Sequence, residues 1–475
     1  MMNHEKLVNQ KLADKQLREN LDKAMHTLQG NRNRLSTTKF KNFDELRSRA
    51  KTVKNNALAT LDERLLEFEA NATKNGMKVH WAVDGGEANE IIYQIIKSHN
   101  GDKVLKQKTM ASEEIHLNHY LEDRGVKAME TDLGELIIQL IQDPPVHIVV
   151  PAIHKNRNEV GRIFQERLGA PLESEPEKLN AIARNHLRNA FRTMKIGISG
   201  ANFGISKAGA IWLLENEGNG RMCTTAPDVH IVICGIEKVL ETFEDVVSAH
   251  SPVTPSAVGA PITCYNNIIT GPRKEGELDG PKEVHVVLLD NGRSDMLTNE
   301  EYYEALRCVR CGACMNYCPV YDKIGGHTYH AVYPGPIGEV ISPQIFGMEK
   351  NADILNFCSL CGRCSEVCPV RIPLAETIRK LRSNKVGEGK KKAKGSDLLE
   401  HSQLEKMGFS GFRMVTTNGF MWRNGIKMGS IFSNFVVKHA DSIPVVKLWT
   451  RHRTPPVLKG NLHADVQKIE GVIYE

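Results

Sequence analysis

Eight of the chain's eleven cysteines fall into two runs of the same form. Cys308, Cys311, Cys314 and Cys318 precede Pro319, and Cys358, Cys361, Cys364 and Cys368 precede Pro369, each a C-x2-C-x2-C-x3-C-P pattern. The repetition reaches beyond the thiols: Gly312 and Gly362 both follow the second cysteine, and Val320 and Val370 both follow the proline. Three closely spaced thiolates on a tight turn can each hold a different iron of one cubane, and in the ferredoxin pattern the fourth cysteine of each run ligates the other cluster. The spacing therefore predicts two 4Fe-4S clusters, one on Cys308, Cys311, Cys314 and Cys368 and the other on Cys358, Cys361, Cys364 and Cys318. Structural zinc prefers two separated cysteine pairs around one ion, so a doubled four-thiolate run selects iron-sulfur over zinc.

The neighbouring residues fit that chemistry. Gly312 and Gly362 lack a Cβ and are expected to let the backbone approach the inorganic sulfides, while Pro319 and Pro369 turn the chain away after the last ligand. The segment between Cys318 and Cys358 is longer than a compact two-cluster ferredoxin needs, and its flanks, Glu300 to Leu306 and Leu374 to Leu381, read as helices. An α-helical ferredoxin module follows. Each cluster accepts one electron and no substrate proton, so electron relay is the expected role.

Other chemistry-bearing residues give weaker patterns. Cys223, Cys234 and Cys264 have no ligand spacing and read as buried thiols. His327 and His330, between the motifs, read as loop residues. The glycine-rich stretch Gly197 to Gly204 lies beside a strand and could cradle an anion on backbone N–H groups, but it is not G-x-G-x-x-G, and no nicotinamide or flavin fingerprint is present. No Ser/His/Asp or paired-carboxylate arrangement can be assembled. No catalytic residues are therefore nominated.

The elements that must position the cysteines divide the chain into four parts. Residues 1–75 form a helical arm, with Leu61, Leu65, Phe68 and Ala72 at helical spacing on one face. Residues 76–292 alternate short β-rich runs with amphipathic ones, beginning at Lys78 to Val83 and including Lys103 to Lys106, Val146 to Val150, Ile196 to Ser199, Ala210 to Leu214, Val229 to Cys234 and Val284 to Leu289. That alternation predicts an α/β domain with a mostly parallel sheet. Residues 293–385 are the ferredoxin module, and 386–475 a basic linker and C-terminal extension. The basic run starting near Lys380 reads as solvated, with docking to an acidic partner or peripheral association with an anionic membrane as a second reading.

Composition limits the function classes. A formal net charge of +5 over 475 residues does not mark a nucleic-acid binder. Charges interrupt the N-terminal residues too often for a signal peptide, and no apolar run approaches the roughly 20 residues of a membrane helix. Many cysteines without an export signal point to reduced thiolates and a cytoplasmic protein.

With these residues in view, the chain resembles the lactate utilisation protein B family over nearly its whole length. The two cysteine motifs carry the likeness, with Tyr333-Pro334-Gly335-Pro336-Ile337-Gly338, Glu215-Asn216-Glu217-Gly218-Asn219-Gly220-Arg221, and Gly280-Pro281 leading to Asp290-Asn291-Gly292-Arg293-Ser294. The resemblance implies a multidomain α/β plus α protein: a LUD domain, similar to CoA-transferase and sugar-phosphate isomerase folds, followed by a helical two-cluster ferredoxin. It further implies an iron-sulfur electron-transfer subunit, itself non-catalytic, of an NAD-independent complex oxidising L-lactate to pyruvate for growth on lactate. Its partners would be the other subunits of that complex. Ser206-Lys207-Ala208-Gly209-Ala210 departs from the family's Ala-Glu-Thr-Gly-Thr type of segment, placing a cation where a carboxylate is expected. Two alternatives stand beside this reading: a LUD-like domain that itself binds or transforms an acyl or phosphorylated substrate, and an iron-sulfur sensor or scaffold.

Overall fold

The computed structural model describes residues 4–385 and 403–442, together with positions 447, 457, 466, 468 and 469. Most of the basic segment, from residue 386 to 402, lies outside the described residues. Two compact units divide the chain near Leu399, and the first contains both the sheet and all eight motif cysteines.

Four helices open the first unit: α1 (His4–Ala13), α2 (Lys15–Thr38), α3 (Phe43–Ala59) and α4 (Leu61–Lys74). Asp14 caps α2 by accepting from the Leu17 N–H at 3.0 Å, which satisfies one of the amide donors left over at a helix start. The spacing of Leu61, Leu65, Phe68 and Ala72 does what it predicted, and all four are buried on one face of α4. They meet Val232, Cys234, Val286 and Leu288 of the sheet. Leu17, Leu21 and Met25 of α2 instead share a core with Ile337, Ile341 and Ile378 around the cysteines. The helical arm thus packs on its own chain and joins the sheet to the cysteine region.

The main sheet has six strands in the order β1 (Lys78–Ala82), β10 (Glu283–Leu289), β7 (Val229–Gly235), β4 (Ile196–Gly200), β2 (Lys103–Lys106) and β3 (Lys127–Glu130). Every pairing in it is parallel, so all six strand C-termini lie along one edge. The central strands read as continuous apolar runs because helices cover both faces. A second, smaller sheet, not resolved by the sequence pattern, has the order β8 (Val239–Leu240), β5 (Phe203–Ile205), β6 (Ala210–Glu215) and β9 (Tyr265–Ile269). It explains why the later part of the α/β region carries more strand and less helix.

Two sequence expectations change. Val146 to Val150 forms no strand but an irregular loop. Prolines at 144, 145 and 151 deny it ladder donors, and its apolar side chains find burial against the cysteine region instead: the Tyr321 hydroxyl donates to Val146 O at 2.7 Å. Glu300 to Leu306 gives only a 3-10 turn, Tyr303–Arg307, whereas Leu374–Lys385 is a full helix.

The second unit is described as two consecutive helices, Gln403–Thr417 and Gly419–Lys438. Asn418 caps the second helix, its side chain accepting from Phe420 N at 3.1 Å and Met421 N at 3.0 Å. Among the described residues no helix is long and apolar enough to cross a membrane.

Phe68 is fully buried between arm and sheet. Phe68→Ala should therefore destabilise the first unit by about 3–5 kcal/mol, seen as a lower urea midpoint in far-UV circular dichroism under anaerobic conditions.

Candidate metal centre

The two cysteine motifs fold into loops of the same conformation. Arg310 and Leu360, each two residues past the first cysteine of its run, adopt left-handed backbone at φ 57° and 56°. In each loop that residue's N–H points to the preceding thiol, Arg310 N to Cys308 Sγ at 3.4 Å and Leu360 N to Cys358 Sγ at 3.3 Å. The fourth cysteines match as well, with Tyr321 N to Cys318 Sγ at 3.4 Å and Ile372 N to Cys368 Sγ at 3.3 Å. Such amide donors stabilise negative charge on sulfur. Gly312 and Gly362 lie at φ 75° and 79° and begin the short helices Ala313–Asn316 and Arg363–Val367. Their left-handed backbone is the structural reason for glycine; a Cβ on Gly312 would also meet His147 Cε1 at 2.8 Å.

A cavity lined by Cys308, Cys311, Cys314 and Cys368 sits between the end of one motif and the start of the other. Its remaining walls are mainly apolar, including Ile337, Ile372 and Leu374. Burial pushes the Cys311 and Cys314 thiols well above their ordinary range, and the neighbouring sulfurs, Cys368 among them, add to the rise. Around Cys364 the second set converges: burial, together with Cys358, Cys318 and Cys361, lifts its thiol to about 12. Cys318, also at about 12 through burial, feels Cys358. Burial disfavours the thiolate at Cys311, Cys314, Cys318 and Cys364, and a positively charged iron core is the partner that would let them bind as thiolates. The donor sets therefore fit thiolate-ligated clusters.

The two loops differ in their surroundings. Cys308 and Cys314 are buried, while Cys361 is exposed and Cys358 partly so. Arg310 of the first loop points back to the sheet, donating to Cys308 O at 3.4 Å and lying 4.8 Å over the Tyr333 ring. Leu360, its counterpart, is 40% exposed. Beside the second set lies Glu339, a buried carboxyl with both oxygens unpartnered, its pKa raised well above the usual carboxylate range by burial. Guanidiniums fasten the loop ends: Arg47 of α3 donates to Cys368 O at 3.0 Å, and Arg382 to Cys358 O at 2.5 Å.

Where the first loop meets the sheet, a buried ionic network forms that the sequence pattern did not reveal. Arg293 makes a two-pronged pair with Glu114 at 2.8 and 2.9 Å and donates to Glu237 at 2.6 Å. Tyr333 OH donates to Glu114 at 2.6 Å, Arg310 reaches Glu237 at 3.5 Å, and Lys54 of α3 donates to the Glu237 carbonyl. Burial alone would raise the Glu237 carboxyl, but the charges of Arg293, Arg310, Lys238 and Lys54 hold it at about 2. Arg293 and Tyr333 lie in segments already singled out by resemblance; Glu114 and Glu237 carry no local pattern because their partners are far away in sequence.

The weaker sequence signals resolve as follows. Gly197 and Gly200 lie inside β4, not in a turn, and serve close packing: a Cβ would fall 2.0 Å from Cys223 O and 2.2 Å from Thr109 Oγ1, respectively. No anion cradle forms there. Cys223 and Cys234 are buried, as expected, but Cys264 is exposed, because it lies in an irregular segment just before the edge strand β9. Lys207 sits in the β5–β6 turn and pairs with Glu241 at 2.6 Å. His327 donates its Nε2–H to Pro144 O at 2.8 Å, and His330 lies edge-on to His4 with ring centroids 5.6 Å apart.

An α/β domain joined to a two-cluster ferredoxin module is the class of protein that this fold and cysteine arrangement define. The LUD domain family matches residues 65–289, the 4Fe-4S dicluster domain 304–372, and the lactate utilisation protein B C-terminal family 380–472. Similar proteins include the "Uncharacterized electron transport protein YkgF" of Escherichia coli, 40% identical over 89% of this chain and 86% of its own. "Lactate utilization protein B" of Geobacillus kaustophilus is 40% identical over 87% and 86%, and that of Bacillus subtilis 44% identical over 72% of each. The chain belongs to the lactate utilisation protein B family. Its cofactors are two 4Fe-4S clusters.

Removing one member of a buried charge network leaves its partners uncompensated, at about 3–5 kcal/mol. Arg293→Leu should lower unfolding stability at pH 7 by that amount, and adding Glu114→Gln, which removes the carboxylate that Arg293 leaves uncompensated, should recover part of the loss. Urea midpoints of the three proteins compare the two outcomes.

Proposed function

We propose that this chain is the electron-transfer subunit of a complex that oxidises L-lactate to pyruvate. The observation that carries the reading is the pairing of two duplicate cysteine loops around one buried and one solvent-reaching thiol set. When bound, each cluster supplies reversible storage of one electron. The first cluster is assigned to Cys308, Cys311, Cys314 and Cys368, the second to Cys358, Cys361, Cys364 and Cys318, within a module spanning 293–385.

The chain's own residues set the direction of relay. Apolar walls exclude water around the first set, and the Arg310 charge favours an added electron there. The second loop, with Cys361 at the surface, is the face offered to a redox partner. Substrate oxidation, transfer of protons included, belongs to another subunit. The relatives' names, an electron transport protein and lactate utilisation proteins, support the same assignment.

A second reading has the α/β domain bind an acyl or phosphorylated ligand. It draws on Lys108, just beyond the C-terminus of β2 and 3.8 Å from Glu135, a cation placed where it could meet an anionic group. Calorimetry of the full chain with hydroxy acids, CoA esters and sugar phosphates distinguishes the two, and heat of binding to any of them favours the second.

Two outcomes follow from the leading reading. Adding L-lactate and the partner subunits anaerobically should produce the EPR signals of reduced clusters; clusters that stay oxidised would exclude it. Cys318→Ser should damage the cluster built on Cys358, Cys361 and Cys364, and Cys368→Ser the cluster built on Cys308, Cys311 and Cys314, each read by EPR and iron content.

A further inference from the structure

Away from the cysteines, one group of side chains has the makeup of a further metal site. Asp143 follows the helix Leu133–Ile141 just past its left-handed cap at Gln142. His154 lies two residues before Asn156, whose capping box starts the helix Arg157–Leu168, and His327 begins the 3-10 turn between the two cysteine motifs. One ligand atom from each of the three lies within 4.8 Å of the others. His154 Nε2 is 3.2 Å from Asp143 Oδ2, and the two imidazoles meet edge to face at 5.1 Å between centroids.

We propose that Asp143, His154 and His327 bind one borderline divalent transition-metal ion of the zinc type. Two features support it. The His154 side chain is only 7% exposed, and its Nε2 faces Asp143 Oδ2 at 3.2 Å, about the separation of two ligands on one tetrahedral ion. His327 donates Nε2–H to the Pro144 carbonyl. A carbonyl only accepts, so the neutral ring keeps its lone pair on Nδ1, and a second nitrogen tied to a carbonyl is how metal-binding histidines are oriented.

Charge and coordination narrow the ion. Lys155 acts on both rings and Lys11 on His327, in each case disfavouring added positive charge. With one carboxylate against them, the site cannot hold calcium or magnesium through charge alone, whereas zinc-type ions gain from imidazole nitrogen. Asp143 is 35% exposed, so one side is open to water as a fourth ligand. Such an ion would pin the loop that leads into the Arg157–Leu168 helix to the segment linking the two cysteine motifs.

The test uses the full chain with its clusters in place, prepared anaerobically, treated with Zn2+ and passed through chelating resin. Zinc and iron are then counted together by mass spectrometry. The proposal expects one retained zinc per chain alongside a full iron complement, and loss of that zinc in His327→Ala and Asp143→Asn with iron and EPR spectra unchanged. Asp143→Asn is isosteric and partly exposed, so it decides the matter if His327→Ala also loses iron. Wild-type protein that keeps its iron but no zinc, or variants that retain zinc equally well, would overturn it.

Discussion

The buried pairing of Arg293 with Glu114 and Glu237 is the constraint on which the rest of the first unit depends. It sits just beyond the C-terminal edge of the parallel sheet, in the crevice where open α/β sheets ordinarily bind ligands. Here Arg310 and Tyr333 enter that crevice from the cysteine region and complete the network. Buried ion pairs gain little over well-packed apolar groups, yet each charge is costly without its partner. The network therefore acts less as glue than as a gauge: only one seating of the first cysteine loop against the sheet satisfies every charge.

The same logic explains the N-terminal helices. Lys54 of α3 enters the network, Arg47 of α3 fastens Cys368 O, and Arg32 of α2 donates to Val367 O at 3.4 Å. Arginine suits these places because its fork of donors satisfies several carbonyls or carboxylates at once and stays charged when buried. An arm that looks in sequence like a packing segment is also a set of polar clamps on the second motif.

Much of this was legible in the sequence because it is local. The cysteine spacing, the apolar face Leu61 to Ala72 and the runs Val229 to Cys234 and Val284 to Leu289 each follow from a period or a motif within one segment. The errors fell where burial was decided elsewhere. Val146 to Val150 looked like a strand because it is apolar, but the partner that buries it is the cysteine region rather than the sheet. Gly197 to Gly204 offered a possible anion cradle because its glycines leave backbone N–H groups open, whereas Gly197 and Gly200 are required by neighbours that arrive from Cys223 and Thr109. Glu114, Glu237 and Glu339 gave no signal, since a lone glutamate reads as a surface residue until its distant surroundings are known.

The unequal exposure of the two cysteine loops has a further consequence for durability. Oxidation of sulfur follows access and thiolate character, and the rim at Cys361 is open to solvent while the first loop exposes its cysteines only in part, at Cys311. The opening that admits an electron partner also admits dioxygen. Damage in air should accordingly proceed in stages, with the outer loop failing first and the inner one outlasting it.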